Sequence, residues 1–270
     1  MKNKAISYPY VIWMGLFVVA PILIITIYAF TSSSGGFTVA NFSTMTQYAA
    51  AFGRSFLLAA IATAVSLLIG YPLALFLARE TGWVHRMATM LIMLPMWMNF
   101  LLRTYSWKFL LERNGLINTL LGLVGLGPFQ MIDTQGAIVL GMVYNFLPYM
   151  ILPIFSVIAK IDPKVIEAAQ DLGASNAMVF RKVIFPLSLP GVLSGITMVF
   201  IPSVSTFAIS RLLGGSKTLL LGNLIDMQFL GGAYNPHLGS AISLVMMVIV
   251  MVCMAVMNRF GEGEEGVAVL

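Results

Sequence analysis

The sequence predicts an all-α integral membrane protein of about six transmembrane helices, with a polar helix-turn-helix connector between two of them. Three observations predict it. Of 270 residues, 59% are hydrophobic and 9% charged, with a mean hydropathy of +0.94, whereas soluble domains carry about 25% charged residues. Six apolar runs reach the ~20 residues that take an α-helix across a bilayer core. A charged stretch punctuated by glycine and proline, residues 163–191, separates the fourth run from the fifth.

The first run, residues 8–30, follows Lys2 and Lys4 as the core of a secretory signal would. A signal core spans only about 7–15 residues and ends at a small-residue cleavage site; this run continues through Pro21 and reads as a retained helix. The others are residues 55–78, 87–108, 135–158, 189–210 and 238–257. With the N-terminus inside, Lys2, Lys4, Arg79, Arg86, Lys160, Lys164, Arg181, Lys182 and Arg259 fall on the inner side. Arg54, Arg103, Lys108, Arg113, Arg211 and Lys217 fall on the outer side. The excess of inner positive charge places both termini, and residues 163–191, in the cytoplasm. Residues 1–260 read as a single membrane domain, and residues 261–270, with Glu262, Glu264 and Glu265, as a flexible solvated tail.

The net charge of +5 does not indicate nucleic acid, because the basic residues are scattered along membrane interfaces and form no patch. They suit insertion and contact with the lipid bilayer. Cys253 is the only cysteine, which excludes an intramolecular disulfide, and His85 and His237 share no ligand spacing, so no metal site is expected. The 19 methionines, dense at Met87, Met90, Met93, Met96 and Met98, read as adaptable apolar filler. Gly214 and Gly215 precede Ser216 and Lys217, but the rest of a phosphate-binding loop is missing. No nucleophile and base, or paired carboxylates, fall inside a span, so no catalytic residue is expected. If ATP drives this protein, another chain holds it.

Within residues 163–191, Asp162 is placed to cap a helix that starts at Pro163, where a missing N–H costs nothing. Gly173 supplies the left-handed residue that ends it. Val165, Ile166, Ala169 and Leu172 form its apolar stripe, leaving Lys164, Glu167, Gln170 and Asp171 polar. Ser175 caps a second helix carrying Met178, Phe180, Val183 and Ile184 beside Arg181 and Lys182, which Pro186 is expected to stop. Small Ala168 and Ala169 would let a partner surface approach closely, with Glu167 available as an acceptor.

Polar, aromatic and helix-breaking residues inside spans mark a transport path, because they are costly against lipid. The third span offers Trp97, Asn99 and Tyr105, the fourth Tyr144, Asn145 and Tyr149, and the fifth Ser203, Ser205 and Thr206. Their rings suit a cationic substrate, and equally sugar stacking. An ion-driven secondary transporter normally carries a titratable group at mid-membrane. No Asp, Glu, Lys or Arg sits at the centre of a predicted span, which argues against that class.

Glu167, Ala168, Ala169, Gly173 and the Pro186 to Pro190 pair, taken in one register, resemble the Glu-Ala-Ala loop of permease subunits in ATP-binding-cassette importers. The resemblance implies the type I importer permease fold and an ATPase-coupling role for Glu167, Ala168, Ala169, Asp171, Gly173, Phe180, Arg181 and Pro186. It also implies a second homologous permease, two ATPase subunits holding ATP and Mg, and an extracytoplasmic substrate-binding protein, in a bacterial cytoplasmic membrane. Further segments resemble the spermidine/putrescine permeases, in particular the first permease subunit. They are Leu94-Pro95-Met96-Trp97, Leu102-Arg103-Thr104-Tyr105-Ser106-Trp107, Arg113-Asn114-Gly115-Leu116-Ile117-Asn118, Tyr144-Asn145-Phe146-Leu147-Pro148, Leu213-Gly214-Gly215-Ser216-Lys217 and Gly222-Asn223-Leu224-Ile225. The same scaffold serves importers of iron, thiamine or sulfate. One departure bears on the substrate: that resemblance implies a carboxylate just before the Leu-Gly-Gly turn, where this chain has Arg211.

Overall fold

The computed structural model describes residues 8–215 and 218–261; Lys2, Lys4, Ser216, Lys217 and the tail from residue 262 lie outside the described residues. Apart from an isolated β-bridge between Thr31 and Phe37, the regular structure of the described residues is helical. Five helices are long and apolar enough to cross a membrane: α1 (Tyr8–Ala29), α2 (Ala40–Arg79), α6 (Gln135–Ile158), α8 (Asn176–Ser205) and the last, α11, of which Pro236–Met257 meets that test and which runs on to Gly261. Between α2 and α6 lie α3 (Gly82–Trp97), α4 (Phe100–Leu111) and α5 (Leu116–Leu123). The connector helix α7 is Pro163–Asp171, and α9 (Ala208–Leu213) and α10 (Leu221–Leu230) fill the stretch between α8 and α11.

The predicted third span, residues 87–108, is not one straight helix. α3 and the α4–α5 segment meet at 95°. Pro95 has no N–H to continue the helical ladder, Met98 is extended, and Asn99 then caps a new helix, accepting from the N–H groups of Leu101 at 2.9 Å and Leu102 at 3.3 Å.

A second correction concerns Pro186, which does not stop the second connector helix. α8 starts at Asn176 and runs unbroken through it, because residues Phe180–Ile184 form a π-helical turn in which the Phe185 N–H donates to the Phe180 carbonyl. The extra residue in that turn shifts the carbonyl register just where proline can supply no donor. At its far end α8 stops at Ser205 and Thr206 is extended, so the outer part of the predicted fifth span is the separate helix α9.

α2, α6 and α8 pack on one another as the centre of the molecule. Lipid gives apolar side chains no reason to leave it, so membrane helices hold together through close packing and polar contacts. Gly191 of α8 lies against the backbone of α6: a Cβ there would stand 2.8 Å from the Pro153 carbonyl oxygen and 3.0 Å from the Ile154 Cα. Near the connector, the Tyr71 hydroxyl of α2 hydrogen-bonds the Ser188 hydroxyl of α8 at 2.8 Å, fully buried. At the opposite end, Ile209 and Leu213 of α9 pack into the core beside Gly141 of α6.

Candidate functional site

The connector follows its local chemistry atom by atom. The Asp162 carboxylate accepts from the Lys164 N–H at 2.9 Å, with Pro163 at the first helical position. At the other end Gly173 has φ +84°, its N–H donates to the Gln170 carbonyl at 2.8 Å, and the Ala174 N–H to the Ala169 carbonyl at 3.1 Å. That pair of bonds is the Schellman closure of a helix by a left-handed residue. Ser175 then caps α8, accepting from the Met178 N–H at 3.4 Å.

The apolar stripe divides in two. Ile166 and Ala169, joined by Ala174 beyond the turn, pack against the core, whereas Val165 is 46% and Leu172 90% exposed. Leu172 is the C-cap, where the chain has already left helical geometry, so it swings away from Ala169. Glu167, Ala168, Asp171 and Gly173 are exposed on that outer side, as is Arg181 further on. Phe180 faces inward instead, edge-on to Tyr71 at 5.8 Å and 88°. The connector therefore presents a small, acidic and apolar surface while Ile166, Ala169, Ala174 and Phe180 fix it to the helical core.

Among the described residues, the predicted pathway residues sit in different environments. Trp97 is 82% exposed at the bend, Asn99 spends its side chain on the α4 cap, and Tyr105 and Tyr149 are partly open at the surface. Tyr144 stacks edge-on with Trp107 at 5.4 Å. Asn145 is buried, donating to the Gly141 carbonyl at 2.8 Å, while its own carbonyl oxygen has no partner among the described residues. The Ser203 hydroxyl, buried, and the Ser205 hydroxyl, exposed, donate to the Val199 and Ile201 carbonyls four residues back. Thr206 is buried at the break after α8.

Sequence reasoning missed two charged residues. Arg103, read as an outer-side cation, is buried on α4, and its Nε and Nη1 have no partner among the described residues. Asp226 of α10 pairs with Arg211 of α9, Nη1 to Oδ2 at 3.3 Å. A carboxylate thus stands beside Arg211 after all, brought by the next helix. Its signal in the sequence was a lone acid in the apolar run 219–230. α10 is held there by Asn223, whose Nδ2 donates to the Phe207 carbonyl at 3.3 Å and whose Oδ1 accepts from the Ser210 hydroxyl. Gly222 lies so near the Ser205 and Thr206 carbonyls that no side chain fits. The two histidines are structural: His85 Nδ1 lies 3.0 Å from the Leu77 carbonyl and His237 Nδ1 3.1 Å from that of Tyr28. Among the described residues no three His, Cys, Asp or Glu side chains gather as metal ligands.

A bundle of long apolar helices crossed by prolines, with an outward-facing helix-turn-helix and a broken span, is the architecture of a multi-pass membrane protein. Residues 70–262 match the family of binding-protein-dependent transport system inner membrane components, and the chain belongs to that family. It is a multi-pass membrane permease subunit, not an enzyme. Among curated relatives it is 35% identical over 257 residues, 92% of this chain and 90% of the relative, to the spermidine/putrescine transport system permease protein PotB of Haemophilus influenzae. It is 36% identical over 247 residues, 88% of this chain and 90% of the relative, to PotB of Escherichia coli. In fold it resembles a chain of a bacterial ABC transporter that imports the acidic polysaccharide alginate, with a TM-score of 0.79 at 18% identity, covering 97% of each chain. The MetNI methionine ABC transporter in an inward-facing conformation gives a TM-score of 0.62 at 17% identity, covering 82% of this chain and 97% of that one.

Proposed function

We propose that this chain is one of two permease subunits of a polyamine importer in a bacterial cytoplasmic membrane, carrying spermidine and putrescine inward with both of its termini in the cytoplasm. The observation that carries the substrate is the 35% and 36% identity, across 92% and 88% of the chain, to permeases of spermidine/putrescine systems. It favours polyamines over iron, thiamine or sulfate.

A second homologous permease completes the path, two ATPase subunits hold ATP and Mg, and an extracytoplasmic binding protein delivers the substrate. α7 seats on one ATPase through Glu167, Ala168, Asp171 and Leu172, while Ile166, Ala169 and Ala174 transmit its displacement to the core. Support for this reading comes from α8, whose 30 residues run without interruption from the connector to Ser205. A helix of that length reaches about 45 Å, so a push near Asn176 moves the far end where α9 and α10 begin. Phe180 against Tyr71 couples the same push to α2. Of the pathway candidates, Trp97, Tyr105, Tyr149 and Ser205 keep exposed surface for a substrate, whereas Asn99 and Ser203 are committed to helix backbone.

The test is uptake of labelled spermidine and putrescine into vesicles holding this chain with its partner subunits, with and without ATP. ATP-dependent uptake supports the reading. ATP turnover that responds to the binding protein while no polyamine enters removes the substrate and leaves the class.

A further inference from the structure

At the end of the core opposite the connector, two clefts of about 690 and 400 Å³ share two wall residues, Asp226 and Leu230, of which Asp226 alone is charged. The larger is bordered by Arg211, Asn223 and Gly231, the smaller by Phe207, Phe229 and Ser205. We propose that Asp226 is a cation-binding carboxylate for a linear aliphatic polyammonium ion, and that Arg211 is its built-in, displaceable counter-ion. The proposal rests on the polyamine reading above and names a site within it.

The asymmetry of the ion pair carries the argument. The Asp226 side chain is 22% exposed and that of Arg211 69%, at an Nη1 to Oδ2 distance of 3.3 Å. The carboxylate is fixed in the wall by α10, which Asn223 and Gly222 lock to the end of α8, whereas the guanidinium stands over it in the open. A pair with one partner so solvated is weakly held and easily exchanged. An ammonium group can therefore take the place of the guanidinium at little cost. The smaller cleft suits the rest of such a ligand: its methylenes would lie along Phe207 and Phe229, whose ring faces also attract a neighbouring ammonium. One ammonium and its neighbouring hydrocarbon would thus meet a carboxylate followed by aromatic surface along the wall. Arg211, which would repel a polycation if it stood alone, instead neutralises the site while it is empty and leaves when the ligand arrives.

The two partners of a structural ion pair and the two partners of an exchange site respond differently to mutation. Labelled spermidine binding is measured on the assembled permease–ATPase complex in nanodiscs without the binding protein, whose own affinity would mask the site. Asp226→Asn is expected to weaken binding at least about tenfold, the value of one charge-assisted contact. Arg211→Gln is expected to tighten it, because the competing cation is gone. Equal weakening by both variants, or no change in either, overturns the proposal. If Asp226→Asn fails to assemble, Arg211→Gln decides alone, and unchanged or weaker binding overturns it. Wild-type uptake by the complete transporter is measured alongside: absent polyamine uptake sinks the functional reading, whereas normal uptake with no difference between the variants sinks only the site.

Discussion

Gly173 offers the sharpest test of the connector. Its φ of +84° lies in the left-handed region, and a Cβ added there meets nothing within 4 Å, so a substitution acts through the backbone and not through a clash within this chain. Non-glycine residues pay about 1–2 kcal/mol for that conformation. Two backbone hydrogen bonds depend on it, Gly173 to Gln170 and Ala174 to Ala169. A loss of about 1–2 kcal/mol lowers the fraction of connector in its closed geometry by roughly 5- to 30-fold relative to the open form. The packed contacts of Ile166 and Ala169 keep the helix attached, so the damage falls on the angle between α7 and α8. The expected order of impairment is Val worst, then Ala, then Asn, which tolerates the left-handed region best. The assay is polyamine uptake per ATP hydrolysed, in vesicles matched for assembled complex. A Gly173→Val transporter with the wild-type ratio would refute the reasoning, because nothing else in the turn can supply the left-handed residue.

Two further substitutions test the packing and the broken span. Gly191→Ala places a methyl group 2.8 Å from the Pro153 carbonyl oxygen, where neither backbone can yield cheaply; a loss of about 1–3 kcal/mol is expected, read as a lower melting temperature of the purified complex. Asn99→Ala removes both bonds of the α4 cap and should cost about 1 kcal/mol, while Asn99→Ser restores most of it. Rescue of stability without any change in polyamine affinity identifies Asn99 as a cap; a change in affinity that Ser cannot rescue returns it to the pathway.

The connector was legible because its determinants are local. Asp162, Pro163, Gly173 and Ser175 act within four residues of themselves, and the structure uses each as its chemistry demands. Five of the six predicted spans were legible from length and apolarity alone, and the remaining one is the bent pair of α3 with α4–α5. What escaped the sequence depends on register or on distant partners. Pro186 breaks an α-helical ladder, and only a π-helical turn several residues earlier makes it harmless. Pro95 within an apolar run reads as a kink until Met98 turns extended and Asn99 caps the next helix. Arg103 looked like an interfacial cation because burial by neighbouring helices leaves no local trace. Arg211 and Asp226 lie 15 residues apart, across a helix, a turn and another helix, and their pairing is a tertiary fact. The resemblance marked Arg211 as a departure from its relatives, and the carboxylate that stands beside it comes from Asp226 on the next helix.

The central claim is that ATP hydrolysed on a partner subunit drives polyamine through this chain by way of α7. The most direct measurement is uptake of labelled spermidine and hydrolysis of ATP followed in the same vesicles, for the wild type and for Glu167→Ala. The account predicts uptake that requires ATP and falls in the variant while the complex remains assembled. Uptake driven by an ion gradient without ATP, or unchanged by the loss of Glu167, would contradict it.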